Sequence, residues 1–137
     1  MAFNGTLLTV GSYAITGEKY INYDKYSATL NIQDMDSYRD ANGVLHRNAL
    51  EHVPLKVELE TRDNLTNTDM GEFFGSIRSN FTDASQRKVS VTAYIPELDD
   101  YVTQDCYMPD PQFKIKRIDP DTNTIYYGSV RFAFIGY

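Results

Sequence analysis

The sequence predicts a mainly β fold: an antiparallel β-sandwich or flattened barrel with one flanking α-helix at about residues 67–81. Three observations carry that reading. Apolar and polar residues alternate with a period of two in several segments. Clusters of turn-forming residues separate those segments. A single stretch places its apolar residues at helical spacing instead.

Taken in order, Thr6 to Val10 is a short candidate strand. Tyr26, Ala28, Leu30 and Ile32 alternate with Ser27, Thr29, Asn31 and Gln33, the pattern of a half-buried strand. Asp40-Ala41-Asn42-Gly43 supplies the left-handed residues of a hairpin. Val53, Leu55, Val57 and Leu59 alternate with Pro54, Lys56, Glu58 and Glu60, and the proline suits an edge or first-residue position. Met70, Phe73, Phe74, Ile77 and Phe81 then fall on one helical stripe. Thr66 or Asp69 is placed to cap the first turn, with Glu72 following Asp69 by three residues. Three phenylalanines on one face require an apolar partner, and the sheet of the flanking strands provides it.

Beyond the helix, Val89, Val91, Ala93 and Ile95 alternate with Lys88, Ser90, Thr92 and Tyr94. Tyr101 to Tyr107, Phe113 to Ile118 and Thr124 to Tyr127 are shorter candidates, the last two joined by an Asp119-Pro120-Asp121-Thr122-Asn123 turn. Val130, Phe132 and Phe134 close the series. Residues 11–24 and 33–52 are polar and read as extended loops. With no internal repeat or charge block, residues 1–137 read as one domain.

Composition narrows the function classes. A chain of 137 residues can bury a core without covalent staples, and its single cysteine cannot form an internal disulfide. Thirteen basic against nineteen acidic side chains leave a formal charge of −6, which disfavours attraction to nucleic-acid phosphates. No apolar run is long enough for a membrane helix. The start, Met1-Ala2-Phe3-Asn4-Gly5, lacks the basic and apolar regions of a secretory signal, so a reducing cytoplasm is the expected site of folding.

Catalytic chemistry is poorly supplied, and no enzyme, cofactor, metal site or small-molecule substrate is expected. Cys106 with His46 or His52 would be the only thiol–imidazole pairing, but Cys106 lies in a strand-like stretch where cysteine behaves as a small hydrophobe. Asp119, Asp121 and Asn123 imitate the opening of a calcium loop, yet Thr124 and Val130 stand where glycine and glutamate are needed. Asp34 with Asp36, and Asp99 with Asp100, read as loop acids. The sequons at Asn4, Asn64 and Asn80 have no secretory context. Tyrosine is the surplus, with eleven against no tryptophan. It favours interfaces through its large area and hydroxyl, and strands through its shape.

The run Ser37-Tyr38-Arg39-Asp40-Ala41-Asn42-Gly43-Val44-Leu45-His46-Arg47, the strand Leu55 to Glu60, the Thr/Asp-led helix and the later tyrosine-bearing hairpin follow one another in a recognisable order. Over residues 36–137 that order resembles small tail structural proteins of bacteriophages and prophages of Gram-positive bacteria, with a tail-tube-like fold. The resemblance implies a β-sandwich with a flanking helix that stacks as hexameric rings, without catalytic residues. A structural protein of a phage-type tail or injection apparatus is therefore expected: a tube, terminator or hub component, made in the bacterial host cytoplasm and residing in the virion tail. Its partners would be itself, as a homo-oligomer, and other tail proteins, with DNA only as passing cargo and no membrane. Subunit contacts are expected at Tyr20, Tyr23, Tyr38, Arg39, Asp40, Asn42, His46 and Arg47. The alternative is a β-sandwich binding module that recognises glycan or a cell-surface receptor.

Overall fold

A computed structural model describes residues 3–16 and 18–137. The strands are β1 (Leu8–Val10), β2 (Tyr13–Ile15), β3 (Ser27–Leu30), β4 (Tyr38–Arg39), β5 (Leu45–His46), β6 (Leu55–Glu60), β7 (Leu65–Thr66), β8 (Lys88–Ile95), β9 (Asp100–Tyr107), β10 (Ile115–Asp119), β11 (Thr124–Tyr127) and β12 (Arg131–Gly136), with helix α1 (Asn67–Arg78) between β7 and β8. Seven strands form one antiparallel sheet in the order β2-β1-β8-β9-β12-β6-β3. A smaller sheet, β10-β11-β7, adjoins it, and β4 pairs with β5 alone. Among the described residues the fold is mainly β, antiparallel and sandwich-like, with one α-helix.

The large sheet curls so that β3 returns against β8. There the Tyr26 hydroxyl donates to the Tyr94 carbonyl at 2.7 Å, and burial raises its pKa above the ordinary phenol range. Each alternating strand sends one row of side chains inward: Val89, Val91, Ala93 and Ile95 from β8, Leu55, Val57 and Leu59 from β6, and Phe132 and Phe134 from β12. Helix α1 closes the core with Met70, Phe73, Phe74 and Ile77. Phe73 and Phe74 each meet Phe132 edge-on with ring centroids 5.5 Å apart, the geometry aromatic quadrupoles prefer.

The helix begins on a capping box. The Asp69 amide donates to the Thr66 hydroxyl oxygen at 3.2 Å, and the Thr66 amide donates to the Asp69 carboxylate at 3.3 Å. Glu72, expected to assist that cap, instead accepts the Tyr20 hydroxyl at 2.9 Å. The helix also ends earlier than the expected residue 81. After Arg78 the Asn80 and Phe81 amides donate to the Ile77 and Arg78 carbonyls, so the chain tightens out of α geometry. Phe81 leaves the helix but still packs on the core, which is why it matched the stripe.

One strand expectation is narrowed and one corrected. Of the two positions expected for Pro54, the start of the strand holds and the edge does not, because β6 lies between β12 and β3. Pro54 stands just before the strand, where its missing N–H costs no ladder bond, and its carbonyl accepts the Asn31 amide at 2.8 Å. Ile32 does not point into the core. It is 64% exposed, because the chain leaves the sheet after Leu30 and no second layer covers it. Residues 11–24 and 33–52 are less irregular than expected: the first contains edge strand β2, and the second contains β4 and β5.

The seam between β9 and β12 is the shortest in the large sheet, paired only at Ile135–Tyr107 and Gly136–Cys106. Gln104 reaches across it. Its Oε1 accepts the Leu55 amide at 2.8 Å and its Nε2 donates to the Val53 carbonyl at 3.1 Å. Gly136 lies under this bridge, where a Cβ would stand 2.5 Å from Gln104 Oε1 and 2.7 Å from the Leu55 nitrogen. Only glycine leaves room for the crossing.

Candidate assembly surface

Between Leu30 and Leu55 the pairing of β3 with β6 continues outward as a two-stranded ribbon. Asn31 donates to Pro54, Leu50 to Gln33 and Met35 to Asn48; Asp34 bridges Ala49; and β4 pairs β5 at Tyr38–His46 and Arg39–Leu45. The ribbon turns at Asp40-Ala41-Asn42-Gly43. There Gly43 has a φ of +81°, a conformation that L side chains rarely adopt, and its amide donates to the Asp40 carbonyl. Residues 31–39, if fully extended at about 3.3 Å per residue, would span at most about 30 Å. No residue from 31 to 52 is buried.

Polar contacts within the ribbon hold its shape. Arg47 grips Asp34 with both ends of its guanidinium, at 3.0 and 2.7 Å, and so holds that carboxyl below the usual carboxylate range. Asp40 is lowered first by the His46 imidazole 2.9 Å away, then by the Val44 and Asn42 amides. The Tyr38 ring stacks on His46 with centroids 4.9 Å apart. Arg39 donates to the Gly43 carbonyl at 2.9 Å.

Six of the eight residues expected at an interface are thus brought together on this ribbon: Tyr38, Arg39, Asp40, Asn42, His46 and Arg47. Most of their polar atoms bind the ribbon to itself. Tyr20 lies elsewhere, its ring against Phe73 with centroids 5.1 Å apart and its hydroxyl on Glu72. Tyr23 is exposed on a separate short 3-10 turn, Tyr23–Lys25.

Sequence reasoning missed the apolar side chains of the same ribbon. Ile32, Met35, Val44, Leu45 and Leu50 are all exposed. The sequence carries no signal for this: only the pairing of Leu30 with Leu55 and the bonds beyond it show the stretch to be a ribbon, and only the exposure of its side chains shows it to be uncovered. A second exposed apolar group, also missed, lies on the hairpin of β10: Phe113, Ile115 and Ile118, the two isoleucines each 58% exposed.

Most of the surplus tyrosines serve the fold. Tyr94 donates to Asp99 at 2.6 Å, the Tyr101 hydroxyl meets the Thr6 carbonyl at 2.7 Å, and Tyr137 donates to Gln86 at 2.9 Å. Tyr38 remains open at 60%.

The candidate reactive groups are also accounted for. Cys106 is fully buried, and desolvation, with the nearby Asp105 charge, pushes its thiol up to about 12, which opposes nucleophile formation. His52 contacts the Tyr137 carbonyl. Asp119 accepts the Asp121 amide at 3.1 Å within the β10–β11 turn. Among the described residues no three His, Cys, Asp or Glu side chains converge as metal ligands, and no described helix is long and apolar enough to cross a membrane.

A shallow groove of about 430 Å³ runs along the outer face of β6 and β12, lined by Glu58, Glu60, Lys114 and Arg131 among others. Two of its charges are paired, Arg131 with Glu58 at 2.6 Å.

The chain belongs to a family described as "Family of unknown function (DUF6711)", whose model matches residues 1–137. No curated protein and no solved structure matches it.

Proposed function

We propose that this DUF6711 chain is a structural protein of a phage-type tail or related injection apparatus, working by self-association into a ring or tube through the ribbon 31–52. The observation that carries this reading is the ribbon itself. A two-stranded ribbon with no core of its own is marginal in water, and this one also presents Ile32, Met35, Val44, Leu45 and Leu50 to solvent. Such an element gains its stability by packing on another surface. The formal charge of −6 is compatible with a conduit, because an acidic wall repels passing DNA.

The test is light scattering behind size exclusion over a rising concentration series, with negative-stain microscopy of the same fractions. Rings, stacked tubes or a concentration-dependent mass are expected. Replacing Arg39 and Arg47 with glutamate removes the contacts that hold the ribbon to Gly43 and Asp34, and assembly should weaken while the thermal transition of the core stays in place; the added negative charge acts the other way on a basic partner, so the weakening reads the loss of the ribbon's shape. A chain that stays monomeric throughout overturns the reading and makes a glycan screen the next step. That outcome would favour the binding-module alternative, with Tyr38 as its open aromatic.

A further inference from the structure

The ribbon needs an acceptor, and the fold offers one at its other end. Strand β6 begins at Leu55, where the ribbon leaves, and runs to Glu60; past it Asp63 accepts Lys116 of β10 at 2.6 Å. The ribbon and β10 therefore lie beyond opposite ends of one strand. A ribbon that extends away from the sheet at one end is not placed to cover the hairpin of its own chain at the other.

Strand β10 is an outer strand of the smaller sheet, with β11 on one side only. Its exposed Ile115 and Ile118, with Phe113 just before, form an apolar group interleaved with Lys114, Lys116 and Arg117. A bulge between Ile115 and Arg117 and the lysines themselves blunt the edge against backbone pairing, so the contact that fits is made by side chains. The charges are complementary. The hairpin, residues 113–127, carries Lys114, Lys116 and Arg117 against Asp119 and Asp121, with Lys116 already paired to Asp63. The ribbon carries Asp34, Asp36, Asp40 and Glu51 against Arg39 and Arg47. The hairpin is thus net +1 and the ribbon net −2, with histidines neutral.

Resting on the assembly reading above, we infer that the acidic, apolar ribbon 31–52 of one copy seats on the basic, apolar β10 hairpin of a second copy. The two faces differ, so the contact is head-to-tail. Repeated, it closes into a ring if the rotation allows and otherwise runs on as a filament.

Two full-length variants test this. One carries Ile32→Asp and Leu45→Asp and keeps its β10; the other carries Ile115→Asp and Ile118→Asp and keeps its ribbon. All four positions are exposed, so the folds should survive, which the thermal transition checks. Each variant alone should elute at the 15.7 kDa of a single chain under conditions where the unaltered chain associates. Mixed in equal amounts they should form a complex of twice that mass, because one intact ribbon and one intact β10 remain. If the unaltered chain associates and the β10 substitutions leave that unchanged, the acceptor is elsewhere and the inference falls while the assembly reading stands. If both variants are monomeric and their mixture stays monomeric, the head-to-tail contact is wrong. If the unaltered chain never associates, both fall together.

Discussion

Gln104 shows what one side chain contributes when it replaces missing ladder bonds. It points inward from β9 yet spends its amide on the Leu55 nitrogen and the Val53 carbonyl, across a seam paired at only two positions. Gln104→Ala leaves that amide and carbonyl without partners and should cost about 1–3 kcal/mol in urea unfolding. A change below about 0.5 kcal/mol, the ordinary range of a surface substitution, would contradict the bridge. Asp40 makes a second residue-scale prediction. Its carboxyl is depressed by His46 and by the Val44 and Asn42 amides, so its contribution is present above the ordinary aspartate pKa and is lost as pH falls through the lower folded value. The Asn42 and Val44 amide resonances should therefore titrate with a midpoint below about 3.9. A midpoint at or above that value would mean that the turn contacts do not hold in solution.

At the scale of elements, the helix and the ribbon differ in what supports them. Helix α1 has a capping box and four buried side chains, so Thr66→Ala should cost about 1 kcal/mol through the lost cap while leaving the fold intact. A thermal transition that does not move would sink that account. The ribbon has hydrogen bonds and ion pairs but no buried residue, so its amides should exchange far faster than those of β6 and β8 in the free chain. The central strands were legible in the sequence because alternation records burial: Val89 to Ile95 and Leu55 to Leu59 point inward as the pattern required. Ile32 follows the same alternation and is exposed, because periodicity registers the pleat and not whether a second layer covers it. The hairpin at Asp40 to Gly43 was readable from turn chemistry. The length of the ribbon was not, since its pairs run through polar residues such as Asp34 opposite Ala49. Tyrosine misled in the other direction, its hydroxyls being used at Tyr94, Tyr101 and Tyr137 to join strands and loops of one chain.

For the whole molecule, the arrangement is a closed core with two uncovered apolar extensions. The curled seven-stranded sheet and α1 enclose one continuous cluster, while the ribbon and the β10 hairpin project their apolar residues beyond opposite ends of β6. Their opposite net charges would guide association and make it weaken as salt rises toward about 1 M, where the screening length falls to about 3 Å. The measurement that reaches the central claim most directly is the mass of the unaltered chain by light scattering as its concentration rises. Self-association, with rings or tubes in the same fractions under the microscope, is the predicted result; a single-chain mass at every concentration would contradict it.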